Sequence, residues 1–172
     1  MKVVLANKND LEKINIIITK VIENMNKQGI KIWNEYYPRE CFLGDIEKEN
    51  LYLLKNNDEI VGMGVLCGFD ESGDAFKFSG TKNNLFLTRF AINVDYLNMG
   101  YGKKLLEEMI HIAKNKDMDS IKLAVAKVNI PAIRLYEKYG FKKVDGVFYN
   151  KFITKCNNEE YGYELILKKD TV

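Results

Sequence analysis

The chain has 172 residues, the length of one domain and enough to bury roughly 70% of its unfolded surface without a disulfide or metal staple. Hydrophobic residues at 47% and charged residues at 29% exclude a disordered or collagen-like chain. With 26 Lys and Arg against 24 Asp and Glu, the balance also excludes a protein held mainly to nucleic acid or an anionic membrane.

The longest apolar stretches, Ile14 to Ile18 and Leu85 to Val94, fall far short of the ~20 residues of a membrane span, and Asn15 and Arg89 interrupt them. The run from Met1 to Asn7 is too short for a signal peptide's apolar region. Cys41, Cys67 and Cys156 are odd in number and widely spaced, with no Cys-x-x-Cys pair, and His111 is the only histidine. This pattern predicts reduced thiols in a cytoplasmic protein and no metal site.

Lys2 to Ala6 reads as a strand. Asn7, Asn9 and Asp10 offer caps for a helix whose apolar residues fall at Leu11, Ile14, Ile18, Val21, Ile22 and Met25, with Gly29 as its stop. The segment from Ile30 to Pro38 is an aromatic loop, and a short helix follows Pro38 to near Lys48. Leu51–Lys55 and Glu59–Phe69 read as a hairpin joined by Asn56, Asn57 and Asp58. Gly62, Gly64 and Gly68 share one face of its second strand, where another backbone or a ligand can approach.

Asp70–Asn84 is polar and reads as a loop, and Leu85–Val94 as a strand. The helix beyond Gly102 carries Leu105, Leu106, Met109, Ile110, Ile112 and Ala113 on one stripe, with His111 opposite as a solvated residue. A strand over Ser120–Ala126, a helix over Ile130–Tyr139 closed by Gly140, and strands over Phe141–Val147 and Tyr161–Leu167 complete the chain. Hairpins mixed with crossover helices give an α/β class with an antiparallel front half. Leu85–Val94 and Ser120–Ala126 form a parallel pair.

The sharpest local pattern is a strand, then Gly100-Tyr101-Gly102-Lys103, then an amphipathic helix. Glycines let backbone N–H groups converge on an anion, and a helix N-terminus adds partial positive charge, so a pyrophosphate is a natural guest. Taken alone, the pattern fits an ordinary tight turn equally well. It is neither a Walker A loop nor a full dinucleotide fingerprint. A second pattern lies downstream, where Asn129 fits a helix N-cap, Pro131 an early-turn position and Gly140 a C-terminal stop.

The Gly100-x-Gly102 turn, together with Asn129, Ala132, Tyr136, Gly140 and Phe141 in an Asn-x-x-Ala-x-x-x-Tyr-x-x-x-Gly-Phe arrangement, resembles the GNAT family of N-acetyltransferases. The resemblance runs from Lys2 to Leu167 and implies a single domain over residues 1–172. It implies a mixed, mostly antiparallel seven-stranded sheet with a splayed parallel pair, flanked by about four helices. It further implies acetyl-CoA in the wedge between the splayed strands, as co-substrate for transfer of acetyl to a primary amine by direct attack.

On that resemblance, backbone groups of Phe90, Ala91 and Ile92 pair with the pantetheine arm as an added strand. Asn98, Met99, Gly100, Tyr101, Gly102 and Lys103 match the pyrophosphate turn. Asn129 matches the residue that bonds the cofactor arm, and Tyr136 the residue that faces the sulfur. For the side chains of Phe90, Ile92 and Tyr136, core packing remains a reading beside these roles.

Two departures stand out. Leu97 replaces the Arg or Gln usual before the turn, which removes one side-chain anchor. Ala124 stands where peptide N-terminal acetyltransferases of the superfamily often carry a Glu, so the proton acceptor is open among Glu35, Asp74 and water. Arg89 fits either an acidic-acceptor contact or an ion pair, with the ion pair preferred.

Trp33, Tyr36 and Tyr37 are three aromatics beside Pro38, expected to wall the acceptor site or else to cap the core. The acceptor is expected to be a small molecule. A peptide or protein N-terminal amine and a non-catalytic acyl-CoA sensor are the alternatives. No nucleic-acid or membrane partner is expected, and the family resemblance makes a homodimer through the C-terminal strands an option.

Overall fold

The computed structural model describes residues 1–151, 153 and 158–167. The chain forms two compact units, the first of Met1–Leu66 and Arg89–Glu108, the second of Cys67–Thr88 and the described residues from Met109 onward. The described residues hold four α-helices and eight strands, mostly antiparallel with one parallel pair.

In the first unit, β1 (Lys2–Leu5) pairs antiparallel with β2 (Leu51–Asn56), which turns back into β3 (Glu59–Cys67) through Asn57 and Asp58. Asn57 takes φ +53°, the left-handed geometry a two-residue hairpin demands. β2 and β3 are buried on both faces, so they read as continuous apolar runs rather than alternating ones. Gly62 lets the neighbouring strand come close: a Cβ there would lie 3.1 Å from the Ala91 carbonyl oxygen and 2.6 Å from Ile92 Cδ1.

α1 (Leu11–Lys27) buries Ile14, Ile17, Ile18, Val21 and Ile22 on one face. A 3-10 turn over Lys8–Asp10 leads into it, closed by a capping box in which Asn7 accepts from the Asn9 N–H while Asp10 accepts from the Asn7 N–H at 3.0 Å. α2 (Arg39–Glu47) begins directly after Pro38 and buries Phe42, Asp45 and Ile46.

β4 (Asn84–Ile92) belongs to both units. In the second unit its first residues, Asn84–Phe86, pair in parallel with Ser120–Lys122 of β5 (Ser120–Ala126). The rest of β5 runs on against β8 (Glu159–Ile166), with Ala124 opposite Gly162 and Ala126 opposite Glu160. α3 (Tyr101–Asn115) buries Leu105, Leu106, Met109 and Ala113, and His111 is exposed, as its stripe predicts. α4 is Ile130–Lys138, and Gly140 beyond it sits at φ +87°.

One predicted strand is corrected. Of Phe141–Val147 only β6 (Lys142–Lys143) is strand, and a separate β7 (Phe148–Tyr149) follows it, both pairing with β8, which raises the strand count among the described residues from seven to eight. The break is at Gly146, whose φ is +111° and whose missing Cβ would lie 2.1 Å from the Ala75 carbonyl oxygen. Lys77 donates to the Asp145 carbonyl at 2.8 Å, and Phe76 bridges Gly146, so the chain leaves β8 to meet this segment.

Cys41 and Cys67 form no disulfide, whereas Cys156 lies outside the described residues. No described helix is long and apolar enough to cross a membrane.

Candidate active site

Arg89 is the pivot of β4. It adopts φ +49°, a left-handed conformation that a side chain with a Cβ rarely takes, and so interrupts the strand's two-residue alternation. Its Nε and Nη2 both donate to the Asp45 carboxylate at 2.7 Å, a two-point ion pair between largely buried groups. Burial opposes the guanidinium charge, but the bonds to Asp45 and to Tyr37 outweigh it and hold the pKa above its ordinary value. The preferred ion-pair reading of Arg89 is therefore the one observed. Phe90, Ala91 and Ile92 follow this anchor directly, with Ala91 buried and Phe90 and Ile92 half-buried.

The strand ends at Asn93, whose side chain accepts from Asp95 N–H and donates to the Ile60 carbonyl at 3.0 Å. The turn beyond it is exposed. Asn98 and Gly100 both take left-handed geometry, at φ +61° and +81°, and a Cβ on Gly100 would meet nothing within 4 Å. Gly100 is required for its φ rather than for space inside the protein.

Leu97 makes no polar side-chain anchor here. The flank is tied instead by Lys20 to Asp95 at 2.9 Å, by a Tyr96 hydroxyl bond to Glu59, and by Tyr96 packed edge-on against Tyr101 at 5.9 Å. α3 then starts with no acidic residue in its first turn, although Lys103 and Lys104 lie there. Positive side chains beside a positive helix end repel it, so this end is electrostatically suited to an anion that comes from outside.

The aromatic loop is also in the first unit. Asn34 Oδ1 accepts from the N–H groups of Tyr36 and Tyr37, both at 2.9 Å, which sets the turn into α2. Arg39 donates to the Glu35 carbonyl and to Thr19 Oγ1, at 2.9 and 2.6 Å. Trp33 is half-buried and Tyr36 is 67% exposed, whereas Tyr37 is engaged with Arg89. Glu35 is exposed in this loop, and Asp74 is exposed in a 3-10 turn over Gly73–Ala75 in the second unit.

The second unit holds the remaining candidates. Asn129 accepts from the Ala132 N–H at 3.4 Å, the N-cap its position predicts. Tyr136 is buried on α4, with its ring 5.6 Å from that of Phe141, and burial pushes its hydroxyl pKa above the ordinary value.

The structure thus gathers Phe90–Ile92, the turn Asn98–Lys103 and the aromatic loop in one unit, with Asn129 and Tyr136 in the other. A family model for the acetyltransferase (GNAT) family matches residues 18–141. The chain belongs to that family.

Among relatives of this GNAT chain, the spermine/spermidine N(1)-acetyltransferase of Bacillus subtilis is 37% identical over 82 residues, covering 46% of this chain and 54% of the relative. The chain thus spans about half the length of that curated relative. Among solved structures, a GNAT acetyltransferase from Streptococcus agalactiae superposes with TM-score 0.82 at 19% identity, covering 98% of this chain and 96% of that one. An acetyltransferase from Salmonella typhimurium, solved with acetyl-CoA, gives TM-score 0.71 at 17% identity over 100% of this chain and 96% of that one. The family's acyl donor is acetyl-CoA.

Two features of this GNAT chain have no counterpart in the sequence reading. The left-handed geometry of Arg89 is one: a lone arginine in an apolar run signals a partner but not a backbone conformation. The other is Glu160, which accepts from Asn150 Nδ2 at 3.1 Å. Burial raises its pKa, Asn150 opposes the rise, and the charges of Asp70 and Glu71 add to it. Nothing local in the Glu159-Glu160 pair distinguishes one carboxylate from the other.

Proposed function

We propose that this GNAT chain transfers acetyl from acetyl-CoA to the nitrogen of a small-molecule primary amine by direct attack. The observation that carries the reading is the exposed turn Asn98–Gly102, with two left-handed residues and an acid-free, lysine-bearing helix start behind it. Its backbone amides suit the pyrophosphate, and Lys103 adds charge there. Backbone groups of Phe90, Ala91 and Ile92 hold the pantetheine arm as an added strand, and an N–H of that segment polarises the reacting carbonyl. Asn129 bonds the same arm.

Bound acetyl-CoA supplies an activated acyl thioester. Most of the acceleration comes from holding amine and thioester together. Tyr136 stays protonated at neutral pH and gives its proton to the departing sulfur. Trp33 and Tyr36 wall the acceptor site with amphipathic rings, and Tyr37 positions that loop through Arg89. The Bacillus subtilis relative acts on polyamines by its name, which makes polyamines the first acceptors to try.

The test is release of free thiol from acetyl-CoA against a panel of polyamines, monoamines and peptides, with acetylated product confirmed by mass spectrometry. Turnover with a small amine is expected. Tight acetyl-CoA binding with no turnover on any amine would make the chain a sensor, and turnover on peptides alone would make it an N-terminal acetyltransferase.

A further inference from the structure

Amine acetylation at neutral pH needs a proton acceptor, because an alkylammonium with a pKa near 10.4 has no lone pair to attack with. β5 offers none on the face where one is expected, since Ala124 and Ala126 carry only methyls. The neighbouring strand does. We propose that Glu160, on β8 directly opposite Ala126 of β5, is the general base that takes the proton from the acceptor ammonium, directly or through one water. This rests on the amine-acetylation reading given above.

Partners in an antiparallel ladder point to the same face, with Cβ atoms roughly 4.5–5.5 Å apart and diagonal neighbours roughly 7–8 Å apart. Glu160 is the direct partner of Ala126 and the diagonal neighbour of Ala124, whose own partner is Gly162. A three-bond side chain from Glu160 therefore serves the face that Ala124 and Ala126 leave bare. The same face is overlain by the segment after β3. Phe76 packs against Gly162, where a Cβ would come within 2.6 Å of the ring, and Glu164 accepts from Ser79 N–H and Oγ at 2.8 and 2.7 Å. Glu160 itself is half-buried on this face.

Its partners are not those of a structural carboxylate. Among the described residues Glu160 forms no ion pair, and its hydrogen bond comes from a neutral amide. The nearest lysine on β5's end, Lys127, bonds Glu159 at 2.9 Å instead. The charged groups facing Glu160 from the segment packed against it are Asp70 and Glu71, both acids, while Ala126 of β5 and Phe148 of β7 carry no charge. Burial and these like charges lift its pKa, which makes it a stronger base than an exposed carboxylate.

The protons balance. Glu160 takes one from the ammonium and passes it to solvent. The freed lone pair forms the C–N bond as the C–S bond breaks. The proton then shed by the acylated nitrogen restores Tyr136, which has protonated the sulfur.

The experiment is the pH dependence of kcat/KM with a small amine shown to turn over, for wild type, Glu160→Gln and Glu71→Gln. Glu160→Gln should lower kcat by about 10²–10⁴-fold, leave the KM for acetyl-CoA within a few-fold, and abolish the acidic limb of the profile. Glu71→Gln, an exposed change that spares the fold, should move that limb to lower pH by removing a like charge. Wild-type kcat and an intact limb in Glu160→Gln overturn the assignment. An unmoved limb in Glu71→Gln overturns it as well, and holds even if the first variant misfolds. A wild-type enzyme that turns over no amine would instead defeat the proposed function itself.

Discussion

Asp10 and Glu160 are both carboxylates drawn out of water, yet their surroundings drive them in opposite directions. For Asp10, burial raises the pKa, but Lys55 at 2.6 Å, the Asn7 N–H at 3.0 Å and Lys13 outweigh it, and the net shift is downward. For Glu160, burial also raises the pKa, and Asp70 and Glu71 push the same way against a single neutral amide. Burial acts alike in both, so the partner's charge decides. Asp10 is committed to closing the 3-10 turn that leads into α1 and to fastening β2. Glu160 retains affinity for a proton, which is what a base needs.

The contrast is broken most severely if chemistry does not reside in the second unit. Tyr136→Phe is expected to keep the fold and acetyl-CoA binding while slowing turnover by about 10²–10⁴-fold, the usual worth of one positioned acid. Asp10→Asn should leave kcat unchanged. Steady-state kinetics on both variants checks the pair; a Tyr136→Phe turnover within a few-fold of wild type would mean that water protonates the sulfur.

A satisfied charge should matter to stability instead. Arg89→Met strands Asp45, 9% exposed in its side chain, without its two bonds, and is expected to cost about 3–5 kcal/mol in denaturant unfolding. Combining it with Asp45→Leu should recover much of that loss, because an apolar pair of similar volume needs no compensation. A single-variant cost below about 1 kcal/mol would show the pair to be solvent-relaxed.

How much of this was legible follows from the range of the interactions. α1 and α4 are set by local periodicity and local caps, and Asn129, Pro131 and Gly140 stand where the sequence pattern requires. The strand over Phe141–Val147 was misread because Gly146 turns to meet Ala75, a residue far away in the chain. The turn at Gly100 was legible as a motif, but the left-handed Asn98 and Arg89 were not, since neither is a glycine. Glu160 was invisible for the same reason as the strand break: its distinguishing neighbours, Asp70 and Glu71, come from another part of the chain.

The same opposition, satisfied against waiting, separates two helix starts within the first unit. α1 has Asp10 and Glu12 at its positive end, whereas α3 has Lys103 and Lys104 there. Gly102→Val sits inside α3 with no left-handed strain and, in the proposed pyrophosphate site, would place methyls against the phosphate oxygens. It should weaken acetyl-CoA binding by about tenfold, ~1.4 kcal/mol, with an unaltered melting temperature. Gly100→Ala, strained at φ +81°, should lower the melting temperature too. Calorimetric titration with CoA separates them, and unchanged affinity in folded Gly102→Val would remove the phosphate from this turn.

The smallest effect is the one that measures Asp10 itself. Its folded pKa lies below the ordinary 3.8, so its contribution to stability is fully present above that unfolded value and is lost as pH falls through the folded one. Asn at position 10 keeps an oxygen for the Asn7 N–H but gives up the charge that Lys55 meets. Asp10→Asn should therefore cost about 1–2 kcal/mol near pH 7, and the difference from wild type should shrink as pH falls below 3.8 and through the folded pKa. Urea unfolding of both proteins across that window isolates the effect, because every other carboxylate titrates alike in the two. A difference that stays constant with pH would mean that shape, not charge, holds Asp10 in place. Asp10 would then no longer be the charge-satisfied counterpart against which Glu160 stands out.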